Sequence, residues 1–221
     1  MSKRNIELYL DTSTSKFILG VVEDKKLLKQ LIEKEEKDMS KVSIINIKNS
    51  LDELNLTPKD IICIITNVGP GSFTGTRLGN TICKTMAYSL DIPIKKITSL
   101  NAMAISTNID TIKVPIILDK NDYIYCAIYD KDNNIILKES YIDLDNLLKK
   151  IKEINKKSTF IIQKEELEKL KEKNIEKIEI VEYNPNILEI INYSKNINIT
   201  KAHDIEPYYL KKVSITKKEK Q

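Results

Sequence analysis

A single histidine, His203, serves the whole 221-residue chain. One histidine cannot make a His-x-x-x-His pair or a two-histidine carboxylate site, so zinc-protease chemistry is excluded. A Ser-His-Asp triad would depend on His203, which has no nucleophile elbow nearby; His203-Asp204 reads instead as part of an ordered turn before Pro207. Three cysteines (Cys63, Cys83, Cys126) lie in apolar stretches without Cys-x-x-Cys spacing, which excludes a disulfide framework and makes them small buried hydrophobes. No apolar run approaches the ~20 residues that span a bilayer. No signal-peptide core follows Lys3-Arg4, so the cytoplasm is the expected location and no membrane contact is expected.

What remains is a soluble globular composition, 41% hydrophobic and 31% charged. The net charge of +4 is weak evidence for a nucleic-acid partner. Lys211, Lys212, Lys217, Lys218 and Lys220 form a basic tail whose simplest reading is a solvated end.

Ile6–Leu10, Phe17–Val22 and Leu27–Ile32 read as three strands, joined by the polar turn Asp11-Thr12-Ser13-Thr14-Ser15 and by Asp24-Lys25-Lys26. Ile44, Ile47, Leu51 and Leu54 recur at helical steps within 38–54. Thr57-Pro58 is a cap-plus-proline turn. Ile61–Thr66 has the continuous β-branched character of a central strand, and a helix over Thr74–Leu90 follows. The opening then repeats. Ile6–Asp11 is echoed by Val114–Asp119, followed again by a turn, an apolar run (Tyr123–Tyr129), an acidic-lysine turn and a third apolar segment at Ile135–Leu137. Beyond lie a helix over Leu144–Ile154, a strand over Thr159–Gln163, a helix over 165–173, a strand over Ile178–Val181 and a helix over Ile187–Ser194. A duplicated strand unit predicts a two-lobed α/β fold of the actin/RNase H-like (ASKHA) type, with lobes at 1–104 and 105–221. Chance likeness between two AT-rich strands is the alternative.

Four of the five glycines fall in Thr66–Gly79. Gly69, Gly71 and Gly75 permit positive φ or close approach where a strand turns into a helix, and Ser72 or Thr74 can cap that helix. The loop has neither Walker A nor Gly-x-Gly-x-x-Gly spacing, and its basic residue, Arg77, lies inside the helix. Gly75, Gly79 and Cys83 recur every four residues, with Thr76, Asn80 and Ala87 extending a small-residue face. Such a face packs either on the protein's own first helix or sheet, or on another subunit. The second reading is preferred here, with Leu78, Ile82 and Met86 or Leu90 on the core side.

Asp11-Thr12-Ser13-Thr14-Ser15 together with Gly-Pro-Gly-Ser-Phe-Thr-Gly-Thr-Arg-Leu-Gly (69–79) resembles the TsaB (YeaZ) family. Ile92–Leu100 matches where that family passes to its second lobe. The likeness is strong over 1–104 and thin beyond, resting there on Leu118-Asp119, Tyr123–Tyr129 and Pro207–Lys211. The resemblance implies a non-catalytic subunit that assists formation of N6-threonylcarbamoyladenosine in tRNA beside the anticodon. Its partners would be a TsaD-like catalytic subunit, a TsaE-like ATPase or a second copy, with tRNA as substrate of the complex. No cofactor would belong to this chain, while ATP and Mg²⁺ would serve the complex. Partner contacts would fall on the first two helices and their loop: Ser40, Ile44, Gly71, Ser72, Phe73, Thr74, Gly75, Thr76, Arg77, Gly79, Asn80, Cys83 and Ala87. Departures from the family pattern are Met39-Ser40, where relatives carry a histidine before the serine, and Lys120-Asn121, where arginines are common.

Two other classes compete. An independent actin-fold ATPase or small-molecule kinase would use Asp11, Thr12 and Asp119 around a nucleotide and Mg²⁺. Thr12 and Thr14 stand where such an enzyme needs glycines, so these positions read as a vestige and the carboxylates as turn caps. A nucleic-acid-binding module ranks last, because no aromatics interleave the tail lysines.

Overall fold

A computed structural model of the chain describes residues 4–14, 16–34, 39–171 and 178–211. Ser15, Asp38 and the tail lysines beyond Lys211 lie outside these residues.

Two separate five-stranded sheets carry the fold. In the first, β1 (Ile6–Asp11) pairs antiparallel with β2 (Lys16–Glu23), β2 antiparallel with β3 (Lys26–Lys34), and β1 and β4 (Ile61–Asn67) lead in parallel to β5 (Ile94–Ile97). The order is β3-β2-β1-β4-β5. The second sheet has the same plan, β8-β7-β6-β9-β10, from β6 (Ile112–Leu118), β7 (Tyr123–Tyr129), β8 (Ile135–Asp143), β9 (Ser158–Ile162) and β10 (Glu179–Glu182). The duplication inferred from the strand echo is therefore real, and Asp11 and Asp119 both stand at the end of the first strand of a sheet.

Helices cover both faces of each sheet, as mixed sheets with buried central strands require. Ile47 and Leu51 of α1 (Met39–Glu53) and Ile82, Cys83 and Ala87 of α2 (Phe73–Leu90) pack on Leu8, Leu10, Leu19 and Ile64. On the outer face of the second sheet, Leu147 and Ile151 of α4 (Leu144–Ile154) and Leu170 of the short α5 (Leu167–Lys171) pack on Val114, Cys126 and Phe160. Between the sheets lie α3 (Ser99–Ser106) and α6 (Ile187–Ser194). Leu100, Met103 and Ala104 of α3 meet Ile117, Tyr129 and Ile161 of the second sheet. Ile187, Ile190 and Ile191 of α6 meet Tyr9, Ile18 and Ile65 of the first. Gly20 makes room for that docking, since a Cβ there would lie 2.3 Å from Ile187 Cγ2.

Each lobe thus lends a helix to the other. The expected boundary at 104/105 separates the sheets but not the packing: residues after 183 return to the first lobe, where Thr200 bridges Ile94 and Tyr208 N–H donates to Val68 C=O at 2.7 Å. Two elements, β5 and α3, were not assigned from the sequence. Of the segment read as one helix over 165–173, the described part is a 3-10 turn (Lys164–Glu166) followed by α5, and positions 172 and 173 lie outside the described residues. Among the described residues no helix is long and apolar enough to cross a membrane.

Candidate functional site

The polar turn after β1 is held by a buried network of hydrogen bonds. Asp11 is buried, and its Oδ1 accepts from Ser13 N–H at 2.7 Å and from Ser13 Oγ at 2.6 Å. Its Oδ2 accepts from Asn67 Nδ2 at 2.7 Å and from the Tyr9 hydroxyl at 3.3 Å. Burial pushes the Asp11 pKa up against these four bonds, which favour its charge. Asn67 Oδ1 accepts in turn from Gly69 N–H and Ser99 Oγ, and Ser13 Oγ lies 2.9 Å from Ser99 Oγ. The end of β4 and the start of α3 are thereby tied to the first turn.

The glycine loop is used up in the same way. Ser72 N–H donates to Ser13 C=O at 2.6 Å, and Ser72 caps α2 by accepting from Gly75 N–H. Thr12 Oγ1 donates to Gly75 C=O at 2.7 Å. A Cβ at Gly75 would meet Thr12 C=O at 2.0 Å, and one at Gly79 would meet Thr12 Oγ1 at 2.3 Å. The glycine stripe is therefore the seat of the protein's own first turn, and its assignment as a partner surface is corrected. Gly75, Thr76, Gly79, Asn80, Cys83 and Ala87 are all buried within the single chain. Thr74 is helical rather than a cap.

The residues present do not fit a resident nucleotide with Mg²⁺. All four acceptor positions of Asp11 are committed inside the protein, and the Gly69, Ser72 and Gly75 amides have internal acceptors. Asp119, the second-lobe counterpart, accepts from the Tyr141 hydroxyl at 2.7 Å and from Lys211 Nζ at 2.8 Å, which hold its pKa low. Among the described residues no group of three or more His, Cys, Asp or Glu side chains could hold a metal.

Two of the open surfaces include positions expected to meet a partner. The first is a groove of about 380 Å³ on the outside of the first lobe, between α1 and α2. Ile44, Ile47, Leu51, Leu56, Ile82 and Met86 line it, with Lys48 and Asp52 at its edge. Ile44 is 60% exposed although it continues the apolar stripe of α1. The second is the mouth of the cleft between lobes, about 410 Å³, walled by Gly69–Phe73, Asp119, Tyr125 and Pro207–Lys211. Here Arg77 stacks on Phe73, with its guanidinium 3.6 Å from the ring centre, and donates to the Tyr209 hydroxyl at 2.8 Å. Of the positions expected to meet a partner, Ser40, Ile44, Gly71, Phe73, Thr74 and Arg77 are exposed, and Ser72 is half-buried.

Asn67, Ser99, Tyr141 and the Tyr208–Tyr209 pair were not named as site residues. Asn67 carried a signal, a polar side chain ending an unbroken apolar strand. The others become neighbours only through the fold.

Strand order, lobe exchange and the sealed first turn define a two-lobed actin-like protein. The family model described as "TsaD: tRNA N6-adenosine threonylcarbamoyltransferase" matches residues 18–188, and the chain belongs to that family, in its TsaB (YeaZ) branch. It is 25% identical over 213 residues to the tRNA threonylcarbamoyladenosine biosynthesis protein TsaB of Bacillus subtilis, covering 92% of this chain and 93% of the relative. The TsaB of Buchnera aphidicola from Schizaphis graminum is 29% identical over 182 residues, covering 79% and 85%. Among solved structures, YeaZ from Pseudomonas aeruginosa superposes with a TM-score of 0.72 at 16% identity, covering 93% of this chain and all of that one. That likeness shows the fold.

Proposed function

We propose that this chain is a non-catalytic subunit in tRNA threonylcarbamoyladenosine biosynthesis, and that it acts by docking the catalytic subunit on the α1–α2 groove. The observation that carries this reading is the groove itself. Exposed Ile44 and half-buried Met86 stand at the rim of an apolar groove whose floor, Ile47, Leu51, Leu56 and Ile82, is buried. An apolar groove with a polar edge suits an interaction site. The relatives' names supply the pathway, and the TsaD family match makes a homologous catalytic subunit the natural partner.

The non-catalytic part rests on the site chemistry. An actin-fold ATPase needs its first-turn aspartate free to reach metal-bound water, and Asp11 is committed to Ser13, Asn67 and Tyr9. An independent ATPase or kinase is accordingly disfavoured. A TsaE-like ATPase would join the complex, with tRNA as its substrate and ATP and Mg²⁺ supplied there. A second copy of this chain could use the same groove when the catalytic subunit is absent.

The test is Ile44→Asp. Ile44 is exposed, so the melting temperature should stay within about 1–2 °C of the parent, as for most surface changes. Capture of the TsaD-like subunit should weaken by about tenfold or more, equivalent to about 1.4 kcal/mol. The purified chain should transfer no threonylcarbamoyl group until TsaD-like and TsaE-like subunits are added. Unchanged capture by the variant, or turnover by the chain alone, defeats the reading.

A further inference from the structure

The cleft mouth gathers aromatic side chains from distant parts of the chain. Phe73 from the start of α2, Tyr125 from β7, and Tyr208 and Tyr209 from the returning segment line it, and ring contacts extend the cluster from Tyr125 to Tyr141 of β8 and on to Tyr123 of β7. Half of the ten tyrosines are here. Four of the rings are substantially open: Phe73 at 59%, Tyr209 at 50%, Tyr123 at 41% and Tyr208 at 40%. Tyr88 is the one other large aromatic exposed to that degree among the described residues.

The rings are arranged as successive platforms. Tyr123 stacks on Tyr141 with centroids 5.1 Å apart, and Tyr125 meets Tyr141 at 4.9 Å. Across the mouth, Phe73 and Tyr209 lie 5.9 Å apart. Two cations stand among them, each with one partner in the chain: Arg77 lies over Phe73 and donates to the Tyr209 hydroxyl, and Lys211, 5.4 Å from the Tyr141 ring centre, is paired with Asp119. Exposed Lys120 lies three residues before Tyr123. From sequence alone the tail lysines lacked interleaved aromatics; Lys211, the one tail lysine among the described residues, is set by the fold against the Tyr141 ring.

Exposed rings at several positions along a groove, with cations between them, suit unpaired nucleobases. Each base offers a π-face to a ring while its phosphate meets a cation, without readout of base identity. Tyrosine, phenylalanine and arginine are also enriched where proteins meet, but the apolar surface that a protein core contact would use lies elsewhere, on the α1–α2 groove. A double helix keeps its bases stacked and offers these rings nothing.

We infer that the cleft mouth, from Phe73 and Arg77 through Tyr208 and Tyr209 to Tyr123, is a docking surface for unpaired RNA nucleotides of the complex's substrate. The inference rests on the proposed tRNA pathway. The surface adds to the partner groove a second task for the chain, holding single-stranded bases while the catalytic subunit works.

The probe is a fluorescent single-stranded RNA of about seven nucleotides, within the ~4–16-nucleotide range of stacking sites. Its binding to the full chain by anisotropy at low salt is compared with that of a duplex of the same length. The single strand should bind about tenfold more tightly than the duplex. The double variant Tyr208→Ala, Tyr209→Ala should lose about tenfold, as removal of stacked rings does. Tyr208→Phe with Tyr209→Phe should stay within about twofold of the parent, because phenylalanine keeps the π-face and loses only the hydroxyls. Equal affinity for strand and duplex, alanine variants that bind as the parent does, or phenylalanine variants as weak as the alanine ones would each overturn the inference. Weakened capture of the catalytic subunit with unchanged RNA binding would also overturn it, marking the rim as a protein contact. Ile44→Asp separates the two readings: it should weaken capture by about tenfold or more and leave RNA binding intact, so either result can fail without the other.

Discussion

The two lobes share one strand order and differ at the same point. In the first, the aspartate ending β1 is buried beneath four hydrogen bonds, and the glycine loop is pressed onto its turn. In the second, Asp119 directly follows β6 and is half-buried, held by a tyrosine and a lysine. The same topological position thus carries opposite physics in the two lobes. A buried carboxylate with four donors is a structural joint, whereas a half-buried one paired with a partly exposed lysine is part of a rim. The joint gives the first lobe a rigid frame on which α1 and α2 present their groove, and the second lobe contributes its edge to the cleft mouth.

Truncating the two aspartates should break the lobes' equivalence most visibly. Asp11→Ala strips acceptors from Ser13 and Asn67 at a buried site. Two or more buried donors left unpaired should cost about 3 kcal/mol or more in urea unfolding. Asp119→Ala removes an ion pair at the surface, where such pairs contribute about 0–1 kcal/mol. Comparable losses at both positions would mean that the joint is no stronger than the rim.

Gly79→Leu is the next largest effect. Leucine favours a helix over glycine by up to about 1 kcal/mol, but its Cβ would collide with Thr12 Oγ1. Forcing atoms into packed space should cost about 1–3 kcal/mol net, a melting-temperature loss of about 3–10 °C at this chain length. Calorimetry decides: a variant as stable as the parent would return the stripe to the outside. The helix character of α2 was legible from the spacing of Leu78, Ile82 and Met86, but which face met which neighbour was not. Small residues every four positions suit a partner helix and an internal turn equally, and only the placement of Thr12, some sixty residues earlier, decides between them.

The strand repeat was readable because period-2 and continuous apolar runs bounded by polar turns are local signals. The helix α3 was not. Leu100, Ala102, Met103, Ala104 and Ile105 are all buried between the sheets, so the helix has no polar face and leaves no stripe to detect. Helix α6 was legible as a helix, yet its docking on the first lobe depends on a space opened by Gly20, which no local pattern announces. The site divides on the same line. Ile44 belongs to a visible stripe, while the aromatic rim is assembled from four separated stretches of chain.

The smallest expected effect concerns Glu166, at the turn beside Asp119. Its Oε1 accepts from Leu118 N–H at 3.1 Å, and its buried Oε2 has no hydrogen-bond partner. Burial pushes its pKa up to about 7. In the unfolded chain a glutamate titrates near its usual value of about 4.3. Between these values the folded state binds the extra proton, so raising the pH draws that proton away at the expense of the fold. Glu166 therefore contributes stability that is fully present below about pH 4 and is lost as pH rises through about 7. Glu166→Gln keeps the acceptor for Leu118 N–H and carries no charge. Melting temperatures at pH 5 and pH 8 should show the parent losing more than the glutamine variant over that interval, with the variant the more stable of the two at pH 8. In the first lobe the buried carboxylate, Asp11 at the end of β1, sits under four donors and leaves neither of its oxygens bare. If Glu166→Gln follows the parent curve at both pH values, the second lobe has neutralised its buried acid just as thoroughly, and the contrast between sealed joint and open rim narrows to Asp119 alone.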